Sequence, residues 1–259
     1  MKILILSDIH ANYQALSSIK EEADMVFCLG DIVNYGPNPE ECLEWVKAHA
    51  ANIVRGNHDN AIGLGVDCGC SLKYKELSDA VKVFTVAVLN NKDKKFLGSL
   101  PILEHIKVNE LTFLLSHGSP NGDMYKYLSP DISDAELLAE FGNLERINHP
   151  HPNPPPSRGQ FSCCTPCYPD FVFIGHTHLP MIRKVNGVTI VNPGSVGQPR
   201  DGIPLCSYAV WDDGNIEIKR VGYDIDATIK AYEATNISKQ HIRTLSQLLK
   251  NAGLPFLKE

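Results

Sequence analysis

The sequence has no long apolar run: nothing in it approaches the roughly 18 consecutive residues that a membrane-crossing helix needs. It has no excess of positive charge. Lys and Arg number 24 against 30 Asp and Glu, giving a net charge of −6. An acidic chain without a basic stripe is a poor match for the phosphate backbone, so nucleic acid is not the expected partner. The opening MKILILSDIH is apolar for only a few residues before Asp8 and His10, and shows no small-residue cleavage site. It does not read as a signal peptide, and the expected location is cytoplasmic. In that compartment the eight cysteines are expected as thiols. Cys28, Cys42 and Cys206 stand in apolar surroundings and read as core packing. The pairs Cys68/Cys70 in CGC and Cys164/Cys167 in CCTPC, where Cys163 also stands, are more suggestive, since four thiolates could hold a zinc ion. But C-x-C is not the usual zinc-knuckle spacing, and free loop thiols are the plainer expectation.

What is present is a set of short apolar runs. At 259 residues and 43% hydrophobic content the chain can bury one sizeable core, and a single domain over 1–259 is expected. The runs are ILIL (3–6), MVFCL (25–29), IV (53–54), LTFLL (111–115) and FVFI (171–174). They lack polar alternation, as strands buried on both faces do. Between them, 12–23 and 38–50 have helical spacing, with Asn12 placed to cap and Pro39 in a first turn. Strand, helix, strand, helix is the α/β pattern. Residues 71–98 read as a helical flank of one or two helices. After 178 the pattern becomes antiparallel, with Asn-Gly and Asp-Gly hairpin signals, and a terminal helix is expected over about 225–251. The stretch 147–170 holds seven prolines and no periodicity, so it reads as an exposed insertion, with His149 and His151 as solvated loop residues.

Each apolar run ends in a polar cluster. In order these are Asp8 and His10, then Gly30-Asp31, then Arg55, Asn57, His58 and Asp59 in RGNHD. His117 follows in SHG, and His176 and His178 in GHTH. Five of the ten histidines fall in these clusters. Any one cluster alone is ordinary turn chemistry. Together they stand at the carboxyl ends of five expected strands, where open α/β sheets bind their ligands. Two Asp, one Asn and four His are too many ligands for one tetrahedral zinc ion. They suit two divalent ions sharing a carboxylate, with Mn, Fe or Zn all compatible with mixed nitrogen and oxygen donors. Such pairs serve in-line displacement at phosphorus.

The series D-x-H, G-D, G-N-H-D, H and G-H-x-H resembles the calcineurin-like metallophosphoesterase superfamily. The resemblance spans the chain outside the 147–170 stretch. It implies a two-sheet βαβ sandwich flanked by helices, a four-layer α/β/β/α fold. It places Asp8, His10, Asp31 and His178 on one metal, and Asp31, Asn57, His117 and His176 on the other, with Asp31 bridging. His58 matches the position that donates a proton or a hydrogen bond to the leaving oxygen. Arg55 and Asn12 are candidate contacts to substrate phosphate, and for each a structural role remains equally open. The implied activity is hydrolysis of small phosphate diesters or monoesters by a metal-bridging hydroxide. A nuclease and a non-catalytic scaffold on the same fold are the alternatives. Asn34 stands where protein phosphatases of this superfamily carry an acid. Together with NYGPNP and NPGSVGQPRDG (192–202), it makes the chain resemble the bacterial and archaeal phosphodiesterase-type branch instead. The NPGS loop either lines the site or only shapes a turn.

Overall fold

The computed structural model describes residues 1–141 and 169–254. The proline-rich stretch, apart from its last two residues, lies outside them, as do Cys163, Cys164 and Cys167. Ten strands form two sheets of five. The first contains β1 (Lys2–Leu6), β2 (Met25–Cys28), β3 (Asn52–Ile53), β9 (Cys206–Asp212) and β10 (Asn215–Val221), in the order β10-β9-β1-β2-β3. The second contains β4 (Leu103–Val108), β5 (Leu111–Ser116), β6 (Phe171–Phe173), β7 (Met181–Val185) and β8 (Val188–Asn192), in the order β4-β5-β6-β8-β7. β1, β2 and β3 run parallel, as do β5, β6 and β8. Three antiparallel hairpins, β4–β5, β7–β8 and β9–β10, edge these centres.

The period of two along each strand explains the sandwich. Ile3 and Ile5 of β1 face the second sheet, where they meet Phe113, Phe171 and Phe173, with Trp211 of the neighbouring β9 in the same cluster. Leu4 and Leu6 face the opposite way, onto α1 (Tyr13–Ser18) and α2 (Pro39–His49) through Leu16, Leu43 and Val46. In the second sheet Leu114, Val172 and Ile190 turn away from the first and meet Leu137 of α6 (Asp134–Ala139). Each strand core is thus apolar on both faces, which is why the runs show no alternation. Phe27, Phe113 and Phe173 are fully buried between the sheets, each contributing roughly 1.5–3 kcal/mol by burial. Helices outside two face-to-face sheets give the expected α/β/β/α layering.

One sequence reading changes and two elements are new. Within RGNHD, α3 (Asn57–Leu64) begins at Asn57, with Gly56 as its N-cap. The stretch 103–108 forms β4, whose half-buried pattern lacks the length of apolar run that marked its neighbours. The terminal helix is two helices, α7 (Ile225–Tyr232) and α8 (Lys239–Asn251), because Ser238 caps a fresh start by accepting from His241 N. Residues 71–98 are occupied by α4 (Leu72–Val88) and most of α5 (Asn91–Ser99). α4 packs with α7 and α8 through Tyr74, Leu77, Val81, Tyr232, Leu245 and Leu249. No helix among the described residues is long and apolar enough to cross a membrane.

Candidate metal centre

The loops after β1, β2, β3, β5 and β6 converge because they are hydrogen-bonded to one another. Asp8 N donates to Gly30 O (3.1 Å), His10 N to Asp31 O (2.9 Å) and Gly175 N to His117 O (2.7 Å). The 192–200 loop completes the lacing. Ser195 Oγ and Gly197 N both donate to Asp8 O (2.7 and 3.1 Å), and Asn192 Nδ2 donates to Gly175 O (2.7 Å). It therefore lines the centre. Close approach also requires missing side chains. A Cβ on Gly56 would stand 2.1 Å from Asp31 Oδ1, and one on Gly175 would stand 2.0 Å from Ser7 Oγ.

Two triads result. Donor atoms of Asp8, His10 and His178 lie within 4.8 Å of one another, and so do those of Asp31, His117 and His176. Asn57 joins the second, its Oδ1 lying 3.1 Å from His117 Nε2. None of the seven is more than 3% exposed. Five of them, Asp8, His10, Asp31, His176 and His178, hold left-handed backbone with φ between 47° and 66°. That conformation is uncommon outside glycine and costs on the order of 1–3 kcal/mol when imposed.

Each Asp has one oxygen tied and one turned inward. Asp8 Oδ2 accepts from Ser7 Oγ (2.7 Å) and His176 N (3.1 Å), while Oδ1 has no hydrogen-bond partner. Asp31 Oδ1 accepts from His58 N (2.8 Å), while Oδ2 lies 3.3 Å from His117 Nε2 and 3.8 Å from His10 Nε2. That oxygen thus faces a histidine of each triad. Carbonyl oxygens can only accept, so the ring nitrogens facing them carry the protons. His117 Nδ1 faces Leu29 O (2.8 Å), His178 Nδ1 faces Gln198 O (2.6 Å) and His176 Nε2 faces Tyr125 O (3.3 Å). The opposite nitrogens are left with lone pairs. His178 Nε2 then confronts Asp8 Oδ1 at 3.3 Å and His10 Nε2 at 3.1 Å. Asn57 Nδ2 is bound to Cys68 O (2.7 Å), which leaves Asn57 Oδ1 facing His117 Nε2, again acceptor against acceptor. Buried acceptors facing one another are unfavourable unless a proton or cation lies between them. The residues fit a pair of cations.

The electrostatics point the same way. Burial pushes Asp8 up to about 6, with Asp31 adding to the rise. Burial alone would raise Asp31 too, but His117, His58 and His10 hold it well below the carboxylate range. Burial would lower His117, yet Asp31 outweighs it and raises the ring to about 9. Burial lowers His176 to about 3 and holds His10 and His178 well below the usual imidazole value. Without a cation, Asp31 thus favours a proton on the edge of His117 that faces it, the place a cation would take.

His58 stands beside both triads, with Nε2 4.0 Å from Asp31 Oδ2. Its Nδ1 accepts from Asn34 Nδ2 at 2.9 Å. The Asn34 orientation is fixed because the same Nδ2 donates to Ser78 O (3.4 Å). Nε2 is thus the protonated nitrogen and points at the centre. Asp59 does not join: it accepts from Ile32 N (2.9 Å) and Gly56 N (3.1 Å), and burial raises it to about 7.

Asn12 and Arg55 have partners inside the fold. Asn12 Oδ1 caps α1 through Ala15 N (3.2 Å), and its Nδ2 donates to Gly197 O (2.8 Å). Arg55 donates to Gly98 O, and its Nε is buried. A cation that the sequence did not single out stands nearer the chemistry. Arg200 lies over the Tyr74 ring at 3.9 Å and is held on Gln198 Oε1 by two bonds of 3.1 and 2.6 Å. Its charge lowers His178, His10 and His58. The signal was the Gln-Pro-Arg end of the 192–202 turn.

A two-sheet sandwich gathers acid, amide and imidazole donors at its strand ends, in two groups that could each hold a metal ion. The Calcineurin-like phosphoesterase superfamily domain profile matches residues 1–215, and the chain belongs to that superfamily. It is 35% identical to the uncharacterized protein MJ0912 of Methanocaldococcus jannaschii, over 89% of this chain and 90% of that one. It is 28% identical to a symmetrical bis(5'-nucleosyl)-tetraphosphatase of Haemophilus influenzae, over 57% of this chain and 55% of the other. Among solved structures it resembles a metallophosphoesterase from Sphaerobacter thermophilus, with a TM-score of 0.71 and 29% identity, covering 97% and 99% of the two chains.

Proposed function

We propose that the chain hydrolyses small phosphate diesters or monoesters with two divalent cations held in its two triads. One observation carries this reading: the partnerless Asp8 Oδ1 and the inward Asp31 Oδ2 face imidazole nitrogens whose protons lie on their far side. Asp8, His10 and His178 would hold one cation and Asn57, His117 and His176 the other, with Asp31 shared between them. Mn, Fe and Zn all suit these donors. When bound, the cations activate water and offset the charge of the phosphate.

The chain's own residues do the rest. Leu29 O, Gln198 O and Tyr125 O fix three rings in the tautomers a cation needs, an outer shell whose loss costs about 10–100-fold. His58 Nε2–H donates a hydrogen bond to the leaving oxygen, while Asn34 keeps Nδ1 as an acceptor. Arg200, spread over Tyr74 and pinned by Gln198, binds a phosphate oxygen of the substrate. The test is hydrolysis of bis(p-nitrophenyl) phosphate and of a dinucleoside tetraphosphate with added Mn²⁺, with and without chelator. Turnover that chelator abolishes is expected. No turnover on any phosphoester would refute the proposal, and faster cleavage of single-stranded oligonucleotides would reassign the chain as a nuclease.

A further inference from the structure

The loop between α3 and α4, together with His58 of α3, carries another group of metal-ligating atoms, outside the two triads. One ring nitrogen of His58 and the sulfurs of Cys68 and Cys70 all lie within 4.8 Å of one another. The sulfurs are 3.1 Å apart. Ser78 Oγ lies 3.3 Å from Cys68 Sγ and 3.5 Å from His58 Nδ1, so the Nδ1 edge of the ring is the one turned toward the sulfurs. Gly69, at φ +62°, makes the tight turn between the cysteines, and a Cβ there would meet the Tyr125 ring at 2.7 Å. His58 and Cys68 are buried and Cys70 is half-buried.

The donor set differs in kind from the triads. Oxygen and imidazole donors suit Mn²⁺, whereas two sulfurs and an imidazole select a softer cation. The His58 ring is the partition between them: Nε2 faces Asp31 and Nδ1 faces the sulfurs. We propose that Cys68, Cys70 and His58 Nδ1 form a third metal site, for a soft cation of the zinc class, that captures His58 from behind. Metal–sulfur bonds of about 2.3 Å in a tetrahedron set the sulfurs about 3.8 Å apart, so the pair opens by less than about 1 Å. Asn34 must release Nδ1. Its Nδ2 keeps Ser78 Oγ (3.1 Å) and Ser78 O (3.4 Å) as acceptors when it does. If His58 Nε2 serves the leaving oxygen of the proposed hydrolase, a cation on Nδ1 draws the ring toward the sulfurs and away from that oxygen, which stops turnover without displacing either triad cation.

Cd²⁺ is the probe, because cadmium–thiolate bonds absorb in the ultraviolet. The protein is reduced, loaded with Mn²⁺ and titrated with Cd²⁺ in a background where Cys163, Cys164 and Cys167 are serine. The expected result is one Cd²⁺ per chain with a thiolate band and no release of Mn²⁺. Cys70→Ser and, separately, His58→Gln each weaken Cd²⁺ binding by more than about tenfold. A band unchanged in both variants, or Cd²⁺ that binds only by releasing Mn²⁺ and gives no band, overturns the proposal. Hydrolysis is read separately: Cys70→Ser turns over substrate and loses Cd²⁺ inhibition. Absence of all hydrolysis would defeat the proposed function yet leave the absorption result to decide the site.

Discussion

Two sets of residues in this protein share left-handed backbone for opposite reasons. Asn109, Asn186 and Asp213 sit in the three two-residue hairpin turns, with φ of 54°, 49° and 44°. Asn and Asp tolerate that conformation, and glycine follows two of them, so local chemistry suffices. Asp8, His10, Asp31, His176 and His178 show the same φ at the ends of β1, β2 and β6, where the chain is rigid and buried. There the conformation is imposed by loop-to-loop bonds such as His10 N to Asp31 O and Gly197 N to Asp8 O. In the hairpins the turn makes the backbone; at the centre the fold holds the backbone against local preference and so aims the donor atoms.

That contrast orders the expected effects of mutation. The largest belongs to Asp31→Ala, which removes the oxygen facing both triads. Metal analysis should find both cations lost, and turnover should fall by more than the about 10–100-fold of an outer-shell change. His58→Ala should keep both cations and lose turnover by about 10²–10⁴-fold. Depletion of metal in that variant would undo the division of roles. Gly56→Ala drives a methyl into Asp31 Oδ1, so denaturant unfolding should show a loss of about 1–3 kcal/mol together with weakened metal binding. Unchanged affinity would mean the Asp31 loop is softer than its bonding suggests.

Smaller effects separate the two kinds of left-handed residue. His178→Gly and His178→Ala leave the same space, but only alanine meets the left-handed penalty. The metal-free glycine variant should be more stable by about 1 kcal/mol. Asn186→Gly, in a hairpin, should change stability by no more than about 0.5 kcal/mol. Equal stability of the two His178 variants would show that the strand ends are no more constrained than the hairpins.

The sequence made the centre more legible than its surroundings. Five apolar runs ending in Asp, Asn or His announced where the donors stand, because ligand chemistry is local to each strand end. The Asn186-Gly187 and Asp213-Gly214 turns were equally plain, since turn chemistry is local too. What stayed hidden depends on distant partners. α3 was obscured because its first residues, Asn57 and His58, read as loop donors. β4 was missed because only pairing with β5 organises its mixed pattern. Asn34 against His58, Arg200 over Tyr74, and Cys68 beside His58 join segments that are 24, 126 and 10 residues apart. No spacing rule announces such contacts.

Diffraction from crystals of the protein grown with Mn²⁺, recorded where manganese scatters anomalously, tests the central claim most directly. The account predicts two peaks in each chain, one within the Asp8, His10 and His178 triad and one within the Asp31, His117 and His176 triad, both within bonding distance of Asp31 Oδ2. A single peak, or two peaks that do not share Asp31, would contradict it.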